Sequence, residues 1–181
     1  MSRIRYNRVM PQPTLYLLVG YPGAGKTTVS RVLHDLTGAE HLWADQVRKQ
    51  KFTQPAYTKA ENAELYDELN HRTAQLLAAS KSVIFDTNFN LYQDREKLRQ
   101  IARDNHAQTV LLWVQAPLEV AKRRATVDSH KHDSRVLGSM TEADFDRLIS
   151  HLEAPKIEEN AVVVDGTKVS PEYLSSLLFN N

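Results

Sequence analysis

One run of residues, Gly20-Tyr21-Pro22-Gly23-Ala24-Gly25-Lys26-Thr27-Thr28, has the types and spacing that hold phosphate. It satisfies the pattern G-x-x-x-x-G-K-[ST], with Gly20, Gly25, Lys26 and Thr27 in the required places. Glycines such as Gly20, Gly23 and Gly25 let the backbone bend, so that successive N–H groups point into one concavity and cradle anionic oxygens. Pro22, Ala24 and Thr28 complete the run. A helix beginning near Gly25 adds its positive end to the same spot. Lys26 reaches the β- and γ-phosphates of a nucleotide such as ATP as a point charge, and the Thr27 hydroxyl completes a magnesium shell. The alternative is a plain glycine-rich turn between a strand and a helix. The flanks supply what the motif demands: the apolar Leu15–Val19 before it and the helix-compatible Lys26–Leu36 after it.

Other residues could act on a phosphate held there. Asp45 and Arg48 lie one turn apart if their segment is helical, and then face the same way. A phosphoryl transfer needs a carboxylate to take the acceptor hydroxyl's proton and a cation to hold the acceptor. Asp45 is the candidate base and Arg48 the candidate anchor, against the alternative of a helix cap and a surface charge. Asp86 closes an apolar strand, where an acid reaches nucleotide-bound magnesium through water. Asn88 and Asn90 follow it, and a strand-end turn held by Asp and Asn is the competing reading. Arg123, Arg124 and Arg135 flank a polar loop, and one of them is expected to stabilise charge on the transferred group. A helix-end cation is the alternative for each. His130 and His132 at i and i+2, beside Asp128 and Asp133, read as solvated rather than as a metal site.

The elements that must position these residues alternate. Leu15–Val19, His41–Ala44, Val83–Phe85, Val110–Val114 and Ala161–Val164 read as five buried strands. Helical patterns run over Lys26–Leu36 (Val29, Val32, Leu33 and Leu36 inward) and Lys59–Ser80 (Ala63, Tyr66, Leu69, Thr73, Leu76 and Leu77 on one face). Others cover Gln93–Asn105 (Leu98, Ile101 and Ala102 inward), Leu118–Thr126, Thr141–Leu152 with Thr141 as N-cap, and Pro171–Phe179. Asp45–Lys51 reads as a loop or short helix. Trp43 and Trp113 are expected in the core. Alternation of this kind implies an α/β domain whose parallel sheet is covered on both faces. Ligands then bind outside the carboxyl ends of the strands, which gathers Gly20–Thr28, Asp45, Asp86 and the loops after Ala116 and Asp165 around one cleft.

Composition narrows the class. The chain has 181 residues, 41% hydrophobic and 25% charged, as an ordinary globular domain does. We expect a tail over 1–13, with Arg3, Arg5 and Arg8, and one domain over 14–181 with a lid at about 127–140. No apolar run approaches a membrane span and no secretory leader pattern opens the chain. With no cysteine there is no disulfide, thiolate metal site or thiol nucleophile, as fits a cytoplasmic protein. A formal net charge of +1 does not suggest a dominant nucleic-acid footprint.

GYPGAGKTT, Asp45-x-x-Arg48, Val83-Ile84-Phe85-Asp86-Thr87-Asn88 and Leu118–Arg124 together resemble the small P-loop kinases of the AAA_33 and polynucleotide 5′-hydroxyl kinase-like group, to which zeta-toxin-like kinases are related. The resemblance runs from about Leu15 to Asp165. It implies the P-loop NTPase fold with adenylate-kinase-like strand order 2-3-1-4-5 and a lid. It implies ATP and Mg2+, Asp45 as general base, and Arg48 near the acceptor or its phosphate. Arg123 matches the first of two lid arginines in the polynucleotide kinases; Val127 stands where the second would be, leaving Arg124 or Arg135 to substitute. The expected activity is transfer of the γ-phosphate of ATP to a hydroxyl on a nucleic-acid 5′ end or a small molecule such as a nucleoside, sugar or antibiotic. The rival is a nucleotide-dependent ATPase or switch with no acceptor.

Overall fold

The structure, a computed structural model, describes residues 12–88, 91–128 and 140–179. Residues 1–11 of the expected tail, Asn90, His130, His132, Asp133, Arg135 and nearly all of the expected lid lie outside the described residues. Five strands form one parallel sheet: β1 (Thr14–Val19), β2 (Glu40–Trp43), β3 (Val83–Asp86), β4 (Gln108–Gln115) and β5 (Val162–Asp165), in the order β2-β3-β1-β4-β5. This is the order that the resemblance implies. The helices are α1 (Lys26–Thr37), α2 (Ala44–Lys51), α3 (Lys59–Ala78), α4 (Tyr92–Asp104), α5 (Leu118–Thr126), α6 (Glu142–Ser150) and α7 (Pro171–Leu178).

The unbroken apolar run of β1 follows from its central place. Leu15, Leu17 and Val19 face Leu65, Leu69 and Leu77 of α3 and Leu98 and Ala102 of α4. Tyr16 and Leu18 face the other way, onto Val29 and Leu33 of α1 and Leu174 of α7. A strand covered on both sides has no polar face to alternate with.

Three readings are corrected by the packing, and one buried charge is added. Leu36 is 38% exposed, because the inward row of α1 steps by four from Val29 to Leu33 and Leu36 falls beside it. On α3 the inward row is Leu65, Leu69, Thr73 and Leu77, again in steps of four, and Ala63 lies exposed. Thr73 is tolerated there because its hydroxyl donates to the Leu69 carbonyl at 2.8 Å. Ala44 opens α2 rather than closing β2, so Asp45 sits in the first helical turn. Finally, α4 buries a charge: Arg95 is fully covered, with Nε and Nη2 each 2.7 Å from a carboxylate oxygen of Glu159.

Candidate phosphate and acceptor site

β1 stops at Val19 and the chain reverses, the Ala24 N–H donating to the Tyr21 carbonyl at 3.1 Å. Gly25 caps α1 at φ 109°, a left-handed conformation that suits glycine, and no side chain caps the helix. No acid stands in the first turn either. The orphan N–H groups of α1 thus open onto the loop without a side-chain acceptor, as an anion site requires. Lys26 is 7% exposed, and its Nζ donates to the carbonyls of Gly20 at 2.8 Å and Tyr21 at 3.0 Å. These bonds fold the ammonium over the loop it belongs to. Gly20, Pro22 and Ala24 are buried, Gly23, Gly25 and Thr27 half-buried, and Thr28 exposed. The cradle and its donors fit the phosphates of a nucleotide.

The loop after β5 closes the far side. The Gly166 N–H donates to the Gln115 carbonyl at 2.7 Å, and a Cβ at Gly166 would stand 1.8 Å from the Ala24 carbonyl. Only glycine allows that approach. Arg124 joins the same corner, its Nη1 donating to the Gly166 carbonyl at 3.1 Å. Arg123 points elsewhere: it is exposed, with Nε 3.3 Å from the Asp128 carboxylate. Of the two described arginines left open by sequence, Arg124 is the one set against the phosphate loop.

Asp86 continues the face of Ile84, which packs on α1. It is 3% exposed, and its Oδ2 lies 3.0 Å from His41 Nε2. His41 pairs in register with Ile84 and Trp43 with Asp86, so the bond runs diagonally across one face of the β2–β3 pair. The His41 ring stacks on Trp43 at 6.2 Å and 13°, and the Arg31 guanidinium covers Trp43 at 5.8 Å. Trp43 is therefore half-buried in a surface stack rather than a core residue. Oxygen donors at Thr27 and Asp86 are the hard ligands that Mg2+ takes.

Arg48 is 6% exposed on α2, three residues after Asp45. Its Nη2 donates to Asn62 Oδ1 at 2.6 Å, and its guanidinium lies over the Tyr57 ring at 4.6 Å. Nη1 stands 3.9 Å from Glu61 Oε2 and makes no hydrogen bond among the described residues. Behind it, burial raises the Tyr66 phenol above its ordinary pKa, opposed by the nearby Thr87 hydroxyl; Asp94, Arg48 and Asp45 are the charges acting on it. Burial likewise raises Asp94. Asn88 is exposed just beyond. Sequence reasoning missed His41, Tyr57, Asn62, Tyr66 and Asp94. His41, Asn62, Tyr66 and Asp94 are carried by β2, α3 and α4 and Tyr57 by the connection between α2 and α3; Tyr66 reads from sequence only as one of the inward residues of its helix.

A parallel five-stranded sheet in this order, with this loop after its central strand, defines the P-loop NTPase fold. Residues 15–155 match the AAA_33 family model, described as an AAA domain, and the chain belongs to that family. It is 29% identical over 122 residues to an uncharacterized protein of Mycobacterium tuberculosis, a match covering 61% of this chain and 24% of that one. The chain thus spans about a quarter of the length of the first curated relatives it matches. A shikimate kinase of Persephonella marina is 27% identical over 116 residues, covering 63% of this chain and 68% of its own. Among solved structures, a sugar kinase from Janibacter superposes with a TM-score of 0.66 at 21% identity, covering 93% of this chain and 95% of the other. The Pnkp1/Rnl/Hen1 RNA repair complex gives 0.62 at 20% identity, over 81% of this chain and 46% of its own. These structural likenesses establish the fold. No helix among the described residues is long and apolar enough to cross a membrane, and none of them form a group of three or more His, Asp or Glu able to hold a metal.

Proposed function

We propose that the chain transfers the γ-phosphoryl group of ATP to an acceptor hydroxyl. The observation that carries this is the placing of Asp45 and the buried Arg48 three residues apart on α2, directly after β2, at the carboxyl end of the strands, where the phosphate loop also follows β1. An ATPase needs a group that positions water; a carboxylate and a guanidinium side by side suit a bound hydroxyl compound instead.

In this reading the N–H groups of Gly20–Thr28 and the α1 N-terminus hold the phosphates. Lys26 exchanges its carbonyl partners for phosphate oxygens, and Arg124 supports the loop edge from Gly166. Asp45 orients the acceptor hydroxyl and takes its proton as the new P–O bond forms. Thr27 directly, and Asp86 through water, would hold Mg2+, which neutralises charge on the phosphates.

For the acceptor, the enclosure of Arg48 by Tyr57, Asn62 and Glu61 favours a small hydroxyl compound over a nucleic-acid 5′ end. The sugar and shikimate kinases among the similar proteins support that class, and the RNA repair complex supports the other. The test is transfer of labelled γ-phosphate to 5′-hydroxyl DNA and RNA beside a library of small hydroxyl compounds. A small-molecule product is expected. Product only on oligonucleotides would reverse the acceptor class, and hydrolysis with no acceptor product would overturn the kinase reading.

A further inference from the structure

Tyr57 stands in the connection between α2 and α3 at φ 55°, a left-handed conformation that a bulky side chain rarely adopts. One carboxylate holds it there. Glu61 accepts from the Ala56 N–H through both oxygens, at 3.1 and 2.9 Å, and from the Tyr57 N–H at 2.6 Å. Thr58, the N-cap of α3, accepts from the Glu61 N–H at 3.2 Å and fixes that carboxylate's own backbone. The ring so positioned is 52% exposed and contributes little to the core. Folding alone would favour Gly or Asn at such a turn. A strained aromatic, clamped and exposed at the edge of a site, points to a ligand.

The surroundings say what kind. One face of the ring lies against Arg48, which Asn62 holds in place. Arg48 is buried, yet its Nη1 has no hydrogen-bond partner among the described residues, and a buried donor in that state calls for an acceptor. The charges acting on the Tyr66 phenol at the back are two carboxylates, Asp94 and Asp45, and one cation, Arg48. That cation already faces Glu61. Of these four groups three are carboxylates, which accept hydrogen bonds from hydroxyls as a neutral polyol needs. Aromatic face, carboxylate, amide and guanidinium together match a pyranose or furanose ring, whose C–H face packs on an aromatic while its hydroxyls take the polar groups.

Resting on the kinase reading above, we infer that Tyr57 is the stacking wall of the acceptor pocket and that the acceptor is a cyclic sugar without phosphate. Asp45 takes the proton of the attacking hydroxyl, whose oxygen bonds to the γ-phosphorus as the bond to the ADP oxygen breaks; the products are a sugar phosphate and ADP. Glu61 is a positioning residue that acts through Tyr57 and Arg48.

The full chain is assayed for γ-phosphate transfer to glucose, galactose, glucosamine, ribose, open-chain sorbitol and a 5′-hydroxyl oligonucleotide. Wild type is compared with Tyr57→Phe and Tyr57→Gly; glycine removes the ring while accepting the left-handed backbone, so loss of fold does not cloud the result. Phosphate is expected on a cyclic sugar. Tyr57→Gly should raise KM for that sugar roughly tenfold, more than it lowers kcat, with KM for ATP unchanged. Tyr57→Phe should keep the wild-type KM. Preference for sorbitol or the oligonucleotide, or a wild-type sugar KM in Tyr57→Gly, would overturn the inference and leave the kinase reading standing. Loss of ATP-analogue binding in Tyr57→Gly would overturn it too, by making the role structural. Absence of transfer to every acceptor while ATP is hydrolysed would sink the kinase reading and this inference with it.

Discussion

His41 and Asp86 are bonded side chain to side chain, Nε2 to Oδ2 at 3.0 Å, across the β2–β3 pair. The carboxylate at the end of β3 is thus turned by a ring that is itself stacked on Trp43. A partner of this kind fixes the orientation of the Asp86 carboxylate.

His41→Ala should therefore weaken the Mg2+ dependence of nucleotide binding. We expect the Mg2+ concentration for half-maximal binding of a non-hydrolysable ATP analogue to rise roughly tenfold. A calorimetric titration of His41→Ala with Mg2+ at fixed analogue checks it. An unchanged midpoint would remove the orienting role.

Gly166→Ala should abolish nucleotide binding although residue 166 lies outside the motif. Its Cβ would stand 1.8 Å from the Ala24 carbonyl and 2.9 Å from Val114 Cγ1, so the loop must move. The same analogue titration on the folded variant reads this out. Arg124→Ala leaves that backbone contact intact and removes only the bond to the Gly166 carbonyl at 3.1 Å. It should bind the analogue while transferring phosphate slowly, and Arg123→Ala should transfer close to wild type.

Acid should destabilise the chain through Glu159. Burial opposes its ionisation, but hydrogen bonds from Arg95, Arg99 and the Lys156 N–H outweigh it and hold its pKa at about 2, against an ordinary 4.5. Its folded pKa lies below its unfolded one, so the stabilisation is complete above about pH 4.5 and is lost as pH falls toward 2. The full effect is about 3 kcal/mol. Glu159→Gln should lower stability at neutral pH by about 3–5 kcal/mol, because Arg95 is left buried and unpaired. Urea melts of both proteins at pH 7 and pH 3 compare these. A wild-type midpoint equal at the two pH values would contradict the assignment.

Much of the fold was legible because it is local. The phosphate loop is one contiguous run, and continuous apolar strands such as Leu15–Val19 announce a sheet covered on both sides. Helix spans came within a few residues, and Thr141 caps α6 through the Asp144 N–H at 3.1 Å as its position suggests. Partners far apart in sequence left no such trace. Nothing near Arg95 in the sequence marks it as buried; the turn carrying Glu159, 64 positions on, covers it. His41 reads as one more residue of a short strand until β3 is placed beside β2. Tyr57 sits in a segment without period, and its importance lies in a backbone angle. The phosphate loop and the Asp45–Arg48 pair are local patterns; the groups around Arg48, namely Tyr57, Asn62 and Glu61, reach it only through tertiary contacts.

The central claim is that Asp45 takes the acceptor's proton, and the most direct measurement pairs phosphoryl transfer with ATP-analogue affinity in Asp45→Asn and Lys26→Ala. Asp45→Asn should lose transfer by roughly 10²–10⁴-fold while binding the analogue like wild type. Lys26→Ala should lose both. Wild-type transfer rates in Asp45→Asn would contradict the account.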